Sequence, residues 1–419
     1  MRKRCTRYRA WAVALSATLL AGCGAGAPRL DAPAQPPMII TFWCAPPLAE
    51  LNEDRVAEIA AAGFTIIGAP CEGVLDVASN RRALELVHRY QLGMWVADHR
   101  IYAAATGDAA AQAQLAAVVA DYRDAPALRG YMVLDEPAVD GFPAVAITVA
   151  GLRDADPERL AYVNLLPDYV PPHLLGAPSY ADYLEQFAAQ VRPQMLSVDY
   201  YPFGEHKDRS TFFANLGALR STALRHDLPF MWIALAMPHG PYRDPTEAEL
   251  AWQLFHALAF GARGVSYFTY WTPPGGGEWN FRNGLIEHGR PTVRYFQAAQ
   301  LNRQLRAIGD ALAAWRSIAI ADSRGEIAAP FPIGPIAGID GGAVTVGLFA
   351  DGRDGIAALL VNRDYRESVT AVLHPRAGAP APEELDLESA RWQPAASLRF
   401  ELAPGRARLL RWSAARWQW

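Results

Sequence analysis

The stretch Gly130-Tyr131-Met132-Val133-Leu134-Asp135-Glu136, followed by Pro137, decides how the chain is read. An apolar run ends in two adjacent carboxylates, and proline then stops any ladder. It reads as a strand. Three similar runs precede it: Met38–Trp43, Phe64–Ile67 and Gly93–Asp98. Four follow it: Leu160–Leu165, Met195–Tyr200, Phe230–Leu235 and Gly264–Trp271. Between them lie helical segments at Asn52–Ala62, Arg81–Tyr90, Ala109–Arg123, Tyr180–Gln190 and Phe213–His226. Thr246-Glu247-Ala248-Glu249 is a capping box that opens a further helix reaching about Gly261. Thr292 to about Trp315 forms the closing helix. Eight strand–helix units within residues 38–317 predict an α/β fold, the (β/α)8 TIM barrel. A doubly wound sheet alternates in the same way, but Ala45-Pro46-Pro47 stands after the first strand in place of a glycine-rich phosphate loop.

The periodicity changes beyond Ile318. Short β-rich runs (Ala343–Phe349, Gly355–Asn362, Ser368–Leu373, Ser397–Leu402, Arg406–Trp412) alternate with turn signals such as Asp340-Gly341-Gly342 and Asp351-Gly352. Residues 318–419 are therefore expected to form a small C-terminal all-β, sandwich-like domain, whose expected role is to brace the barrel.

The first residues carry an address. Arg2, Lys3, Arg4, Arg7 and Arg9 form a basic region, Ala10–Leu20 is mostly apolar, and Leu20-Ala21-Gly22-Cys23 follows. This is the build of a secretory signal, and its end resembles a bacterial lipobox. That resemblance implies cleavage of residues 1–22 and lipidation of Cys23. It also implies lipid anchoring in the bacterial cell envelope, at the outer membrane on its periplasmic or surface face, and the Gly, Ala, Pro and Gln of residues 23–37 read as a flexible tether. In that oxidising setting Cys44 and Cys71, at the ends of the first two strands, either pair as a disulfide or remain two buried thiols.

Composition excludes other classes. Of 419 residues, 51% are hydrophobic and 20% charged, so the chain is globular and long enough for two or three domains. Loss of residues 1–22 removes five basic and no acidic residues and takes the formal charge from −4 to −9. An exported protein this acidic is not expected to bind nucleic acid. No His cluster has metal spacing, no Gly-x-Ser-x-Gly elbow is present, and no cofactor is expected. The oligomeric state is left open.

In a barrel the functional side chains stand at the C-terminal ends of the strands. Those ends present Trp43, Asp98, His99, Asp135, Glu136, Asn164, Asp199, Tyr200, Tyr201, Tyr270 and Trp271. The loop after the eighth strand adds Glu278 and Trp279. Aromatic rings stack on the C–H faces of sugars, and carboxylates and amides bond sugar hydroxyls. The rim therefore suits a carbohydrate.

The ordered segments YMVLDEP (131–137), LSVDYYPF (196–203), Thr246-x-x-Glu249-Leu250-x-Trp252-Gln253, YFTYWTP (267–273) and the run from Gly284 to Thr292 resemble clan A glycoside hydrolases. The likeness is to proteins similar to family 42 β-galactosidases and covers most of the chain after the tether. It implies a glycoside hydrolase whose acid/base glutamate is Glu136, with Asp135 in place of the usual asparagine. Adjacent carboxylates raise one another's pKa, as a general acid at neutral pH requires. Capping or pairing with an arginine such as Arg129 is the structural alternative for this pair. The resemblance also implies a nucleophilic glutamate near Ala234–Pro238, and none is there. Asp199 is the preferred partner carboxylate and Glu278 the other candidate. A wide separation from Glu136, about 6.5–9.5 Å, would make the enzyme inverting. The alternative function is glycan binding without cleavage on a degenerate barrel.

Overall fold

The computed structural model describes residues 38–73, 75–274, 279–328 and 331–413. The signal, the tether with Cys23, and Glu278 lie outside the described residues. The described chain forms one compact unit.

Eight strands build the barrel: β1 (Ile39–Phe42), β2 (Ile66–Ile67), β3 (Gly93–Val96), β4 (Leu128–Asp135), β5 (Leu160–Asn164), β6 (Leu196–Tyr200), β7 (Phe230–Leu235) and β8 (Gly264–Phe268). They pair in parallel as β2-β3-β4-β5 and β6-β7-β8-β1. Parallel bridges Ala45–Pro70 and Leu165–Val198 join the two arcs into a ring. Strand residues alternate between lumen and helices. Ile66, Trp95, Tyr162, Met195 and Met231 pack together as a buried cluster, a filled core and not a pore. The outward residues join the main core beneath the helices.

Helix starts follow local chemistry. Thr246 accepts a hydrogen bond from the Glu249 N–H while the Glu249 side chain accepts one from the Thr246 N–H, completing the expected capping box of helix Glu247–Ala259. Two helical readings change. The Ala109–Arg123 segment is broken into Ala109–Gln112 and Leu115–Tyr122, preceded by an unexpected helix His99–Ala105. Gly107, at φ +100°, turns the chain after that helix, and Asp108 caps the next. A helix at Phe142–Ala155 also has no counterpart in the sequence reading. Its Ile147-Thr148-Val149 run and Gly151 weaken the local helix signal, but burial of Val145, Val149 and Leu152 outweighs that.

The C-terminal region is a sandwich. One antiparallel sheet holds Arg316–Asp322, Val344–Ala350, Ile356–Asn362, Ala407–Trp412, Glu383–Asp386 and Arg391–Pro394. The other holds Ile336–Gly341, Val369–Pro375 and Arg399–Leu402. Their facing residues, among them Val346, Leu360, Leu373, Phe400 and Trp412, share one buried core. The opposite face of the larger sheet lies on helix Glu247–Ala259. There His256 bonds Thr345 at 3.2 Å and Trp252 Nε1 donates to the Arg363 carbonyl at 2.8 Å. Gly347 is required at this seam, because a Cβ would stand 2.1 Å from the Ala259 oxygen. The packing has the form of a brace.

Candidate active site

A cleft of about 290 Å³ opens at the C-terminal ends of the strands. Its floor holds Asp135, Glu136, Asn164 and Asp199. In a regular strand Asp135 and Glu136 would point to opposite faces. Here the pairing of β4 with β5 slips between Met132 and Leu134, and Glu136 takes φ +48°. The bulge and the left-handed residue together turn both carboxyls into the cleft. A non-glycine residue in that conformation costs on the order of 1 kcal/mol, a strain found mostly at functional positions. The Glu136 N–H holds the turn by donating to the Asn164 carbonyl at 2.9 Å.

Asn164 organises the floor. Its Nδ2 donates to Asp135 Oδ1 at 3.1 Å and to Asp199 Oδ1 at 2.8 Å. Its Oδ1 accepts from Ser197 Oγ at 3.2 Å, and Ser197 meets the Tyr162 hydroxyl at 2.9 Å. Tyr162 is stacked on Trp95 inside the barrel. A chain of polar contacts rising from the core therefore fixes the amide. Asp199 is 6% exposed and lines the cleft together with Glu136 and Tyr201.

Three carboxyls this close cannot all ionise freely. The surrounding protein and then the charge of Asp199 push Asp135 up to about 7. Glu136 is raised well above the carboxylate range by its protein surroundings, then by the charges of Asp199 and Asp135. Burial raises Asp199 as well, but the hydrogen bond from Asn164 opposes this. Glu136 therefore keeps its proton to higher pH than an ordinary carboxyl. Water reaches Asp135 and Glu136 through the cleft mouth, so both can exchange protons.

The walls are aromatic: Trp43 from the end of β1, Tyr169 after β5, Tyr201 after β6, His239 and Tyr242 after β7, and Phe268, Trp279 and Phe281 from β8 and its loop. His239 sits among Tyr201, Phe268 and Phe281, with ring centroids 5.1, 4.8 and 5.8 Å away. Burial lowers its pKa to about 4, and Nδ1 donates to the Met237 carbonyl at 3.1 Å, so the ring is neutral. Behind the wall, the Arg209 guanidinium covers Tyr169 at 3.7 Å. Among the described residues lining the cleft there is no arginine or lysine. Nor is any group of three or more His, Cys, Asp or Glu side chains among the described residues arranged to hold a metal ion.

The cleft thus gathers Trp43, Asp135, Glu136, Asn164, Asp199, Tyr201 and the half-exposed Trp279 from the sequence-derived set. Five other members of that set stand elsewhere. Strand β3 ends at Val96, so Asp98 is already the N-cap of the next helix; it is buried and taken by Arg100 and the Tyr122 hydroxyl. His99, in the first turn of that helix, has its side chain 78% exposed, outside the cleft. Tyr200 faces the helices, stacked on Trp232 and bonded to Thr211. Strand β8 ends at Phe268, which is the wall residue; beyond it the Tyr270 and Trp271 N–H groups donate to the Trp43 and Cys44 carbonyls, but their side chains turn away from the cleft. Tyr270 stacks on Phe42 and donates to Glu58 at 2.6 Å, and Trp271 lies under Arg55. The sequence reading missed Tyr169, His239, Tyr242, Phe268 and Phe281. Four of these lie in loops beyond the strand ends, where periodicity gives no orientation. Cys44 and Cys71 form a disulfide that joins the ends of β1 and β2 beside Trp43.

No protein-family model matches the sequence, and no curated protein is significantly similar to it. Solved structures are similar in fold. The β-galactosidase of Bacillus circulans sp. alkalophilus superposes with a TM-score of 0.63 at 11% identity, covering 90% of this chain and 99% of that one. A family 5 glycoside hydrolase of Bacteroides vulgatus superposes at 0.58 with 11% identity, covering 90% of each chain. The β-galactosidase of the psychrophilic Marinomonas ef1 superposes at 0.51 with 10% identity over 66% of this chain, which spans only 60% of the enzyme's length. The chain therefore shares the (β/α)8 barrel fold of these solved structures, followed by an antiparallel β region.

Proposed function

We propose that this protein is a glycoside hydrolase that cleaves an O-glycosidic bond of an oligo- or polysaccharide outside the cytoplasm. Glu136 is its general acid and base. The observation that carries this reading is the cluster of Glu136, Asp199 and Asp135 on the floor of an aromatic-walled cleft at the ends of β4 and β6. Glu136, protonated at neutral pH, gives its proton to the leaving oxygen. Asp199 then carries the negative charge of the pair beside the oxocarbenium-like centre. Asp135 helps to hold the Glu136 proton through its own charge. Trp43, Tyr201 and Trp279 supply ring faces for the sugar.

The acidic cleft directs the first trials to neutral and cationic glycans. β-Galactosides head the panel, because the similar structures include β-galactosidases. The test is turnover of the panel by the exported domain, with Glu136→Gln as control. Cleavage that is undiminished in the variant refutes the assignment. One observation favours a second reading, glycan binding alone: Ile233, and no carboxylate, lines the cleft from β7. Saturable binding without turnover under any condition supports that reading. Anchoring through lipid on Cys23 is part of the proposal, and failure of a Cys23→Ser variant to lose radiolabelled palmitate refutes it.

A further inference from the structure

In a double displacement the nucleophile attacks the anomeric carbon from the face opposite the leaving group, and the acid stands on the leaving-group side. Strand β7 brings Ile233, beside Asp199 in register, and then Ala234, Leu235, Ala236, Met237 and Pro238. None has an oxygen nucleophile in its side chain. Among the described residues, the carboxylates of the cleft are Asp135, Glu136 and Asp199, all from β4 and β6. Asp199 is buried and its Oδ1 is occupied by Asn164. Asp135 differs. Its Oδ1 takes the Asn164 amide, its Oδ2 makes no hydrogen bond among the described residues, and water reaches it. The floor therefore offers an acid and a free carboxylate oxygen next to it, with an apolar surface where the nucleophile belongs.

We propose that the substrate itself supplies the nucleophile: the site takes 1,2-trans 2-acetamido-2-deoxy glycosides, and Asp135 Oδ2 holds the acetamido N–H. The inference rests on the glycoside hydrolase reading above. In the first step the acetamido carbonyl oxygen forms a bond to the anomeric carbon as the bond to the leaving oxygen breaks. Glu136 passes its proton to that oxygen, and the sugar is left as a cyclic oxazolinium. Ionised Asp135 at its N–H compensates the positive charge. In the second step water adds to the anomeric carbon and gives a proton to Glu136, while the ring C–O bond breaks and restores the acetamide. Water is the only co-reactant, and the anomeric configuration is retained. Ile233 offers the acetyl methyl an apolar contact, and a neutral amide suits a cleft whose described lining has no cation.

The test compares 4-methylumbelliferyl β-glycosides of N-acetylglucosamine and N-acetylgalactosamine with the matching 2-hydroxy glucoside and galactoside. A site built to bond a substrate N–H should favour the acetamido substrates by about 10⁴-fold in kcat/KM. Replacing acetyl by trifluoroacetyl should slow cleavage about tenfold or more, because the attacking oxygen is then electron-poor in the transition state. Asp135→Asn should lower kcat for the acetamido substrate by about 10²-fold. The fluorinated series uses the unaltered protein and keeps the test valid if that variant misfolds. Equal cleavage of 2-hydroxy glycosides, or indifference to fluorination, overturns the inference and leaves the hydrolase reading in place. Cleavage of neither series overturns both.

Discussion

Removal of the Cys44–Cys71 bridge, by Cys44→Ala with Cys71→Ala, should destabilise the barrel by an amount set mainly by chain length. The bridge closes a separation of 27 residues. In the chain-entropy account that loop size corresponds to about 3.5 kcal/mol at 25 °C. At about 2.1 cal/mol/K per residue, a chain of roughly 400 residues loses about 4 °C in Tm for that change. Cys44 sits at φ +53°, and alanine bears the same left-handed conformation, so backbone strain adds little to the difference. Urea unfolding of the oxidised protein, the reduced protein and the double variant provides the measurement. The reduced protein and the variant should share one lowered midpoint with an unchanged slope. The crosslinked strand end also carries Trp43, so KM for a bound glycan should rise more than kcat falls. A variant as stable as the oxidised protein refutes the view that this bridge constrains the chain.

Other outcomes follow from the cleft and the seam. Asp135 binds its proton with a pKa of about 7 in the folded chain, against 3.8 ordinarily, so the folded state holds more protons between these values. Its stabilising contribution is whole below about 3.8 and is lost as pH rises through about 7. Asp135→Asn should accordingly flatten the fall in Tm between pH 4 and pH 7, and parallel curves for the two proteins contradict the shift. Asn164→Leu removes the amide that holds Asp135 and Asp199, and should reduce kcat while circular dichroism stays unchanged; full activity contradicts its organising role. Gly347→Val forces a Cβ onto the Ala259 oxygen and should cost about 1–3 kcal/mol in urea unfolding. No loss there means that the sandwich is not tightly seated on the barrel.

The fold was legible because its signals are repetitive. Eight apolar runs spaced by helical segments specify a barrel, and a capping box such as Thr246 to Glu249 marks a helix start by chemistry alone. The floor of the cleft was legible for the same reason: Asp135, Glu136, Asn164 and Asp199 close strands, and strand ends in a barrel face one mouth. Errors arose where a strand stopped sooner than its apolar run. The GVSYFTYW run continues past Phe268, so Tyr270 and Trp271 read as rim residues although they pack outside β8. Asp98 was misread in the same way, because a carboxylate after a strand is also what a helix needs as its N-cap. Tyr200 shows the other limit: one step along β6 from Asp199, it faces the helices. The wall residues His239 and Tyr242 belong to a loop whose path depends on contacts with Trp279 and Tyr201, which no local pattern encodes.

In the proposed reaction Glu136 delivers a proton to the departing sugar oxygen. The most direct measurement compares a glycoside whose leaving group needs that proton with a 2,4-dinitrophenyl glycoside, whose leaving group does not, in the native protein and in Glu136→Gln. Loss of a general acid should slow the first substrate by about 10²–10⁴-fold and leave bond cleavage in the second nearly as fast. Equal slowing of both, or of neither, contradicts the account.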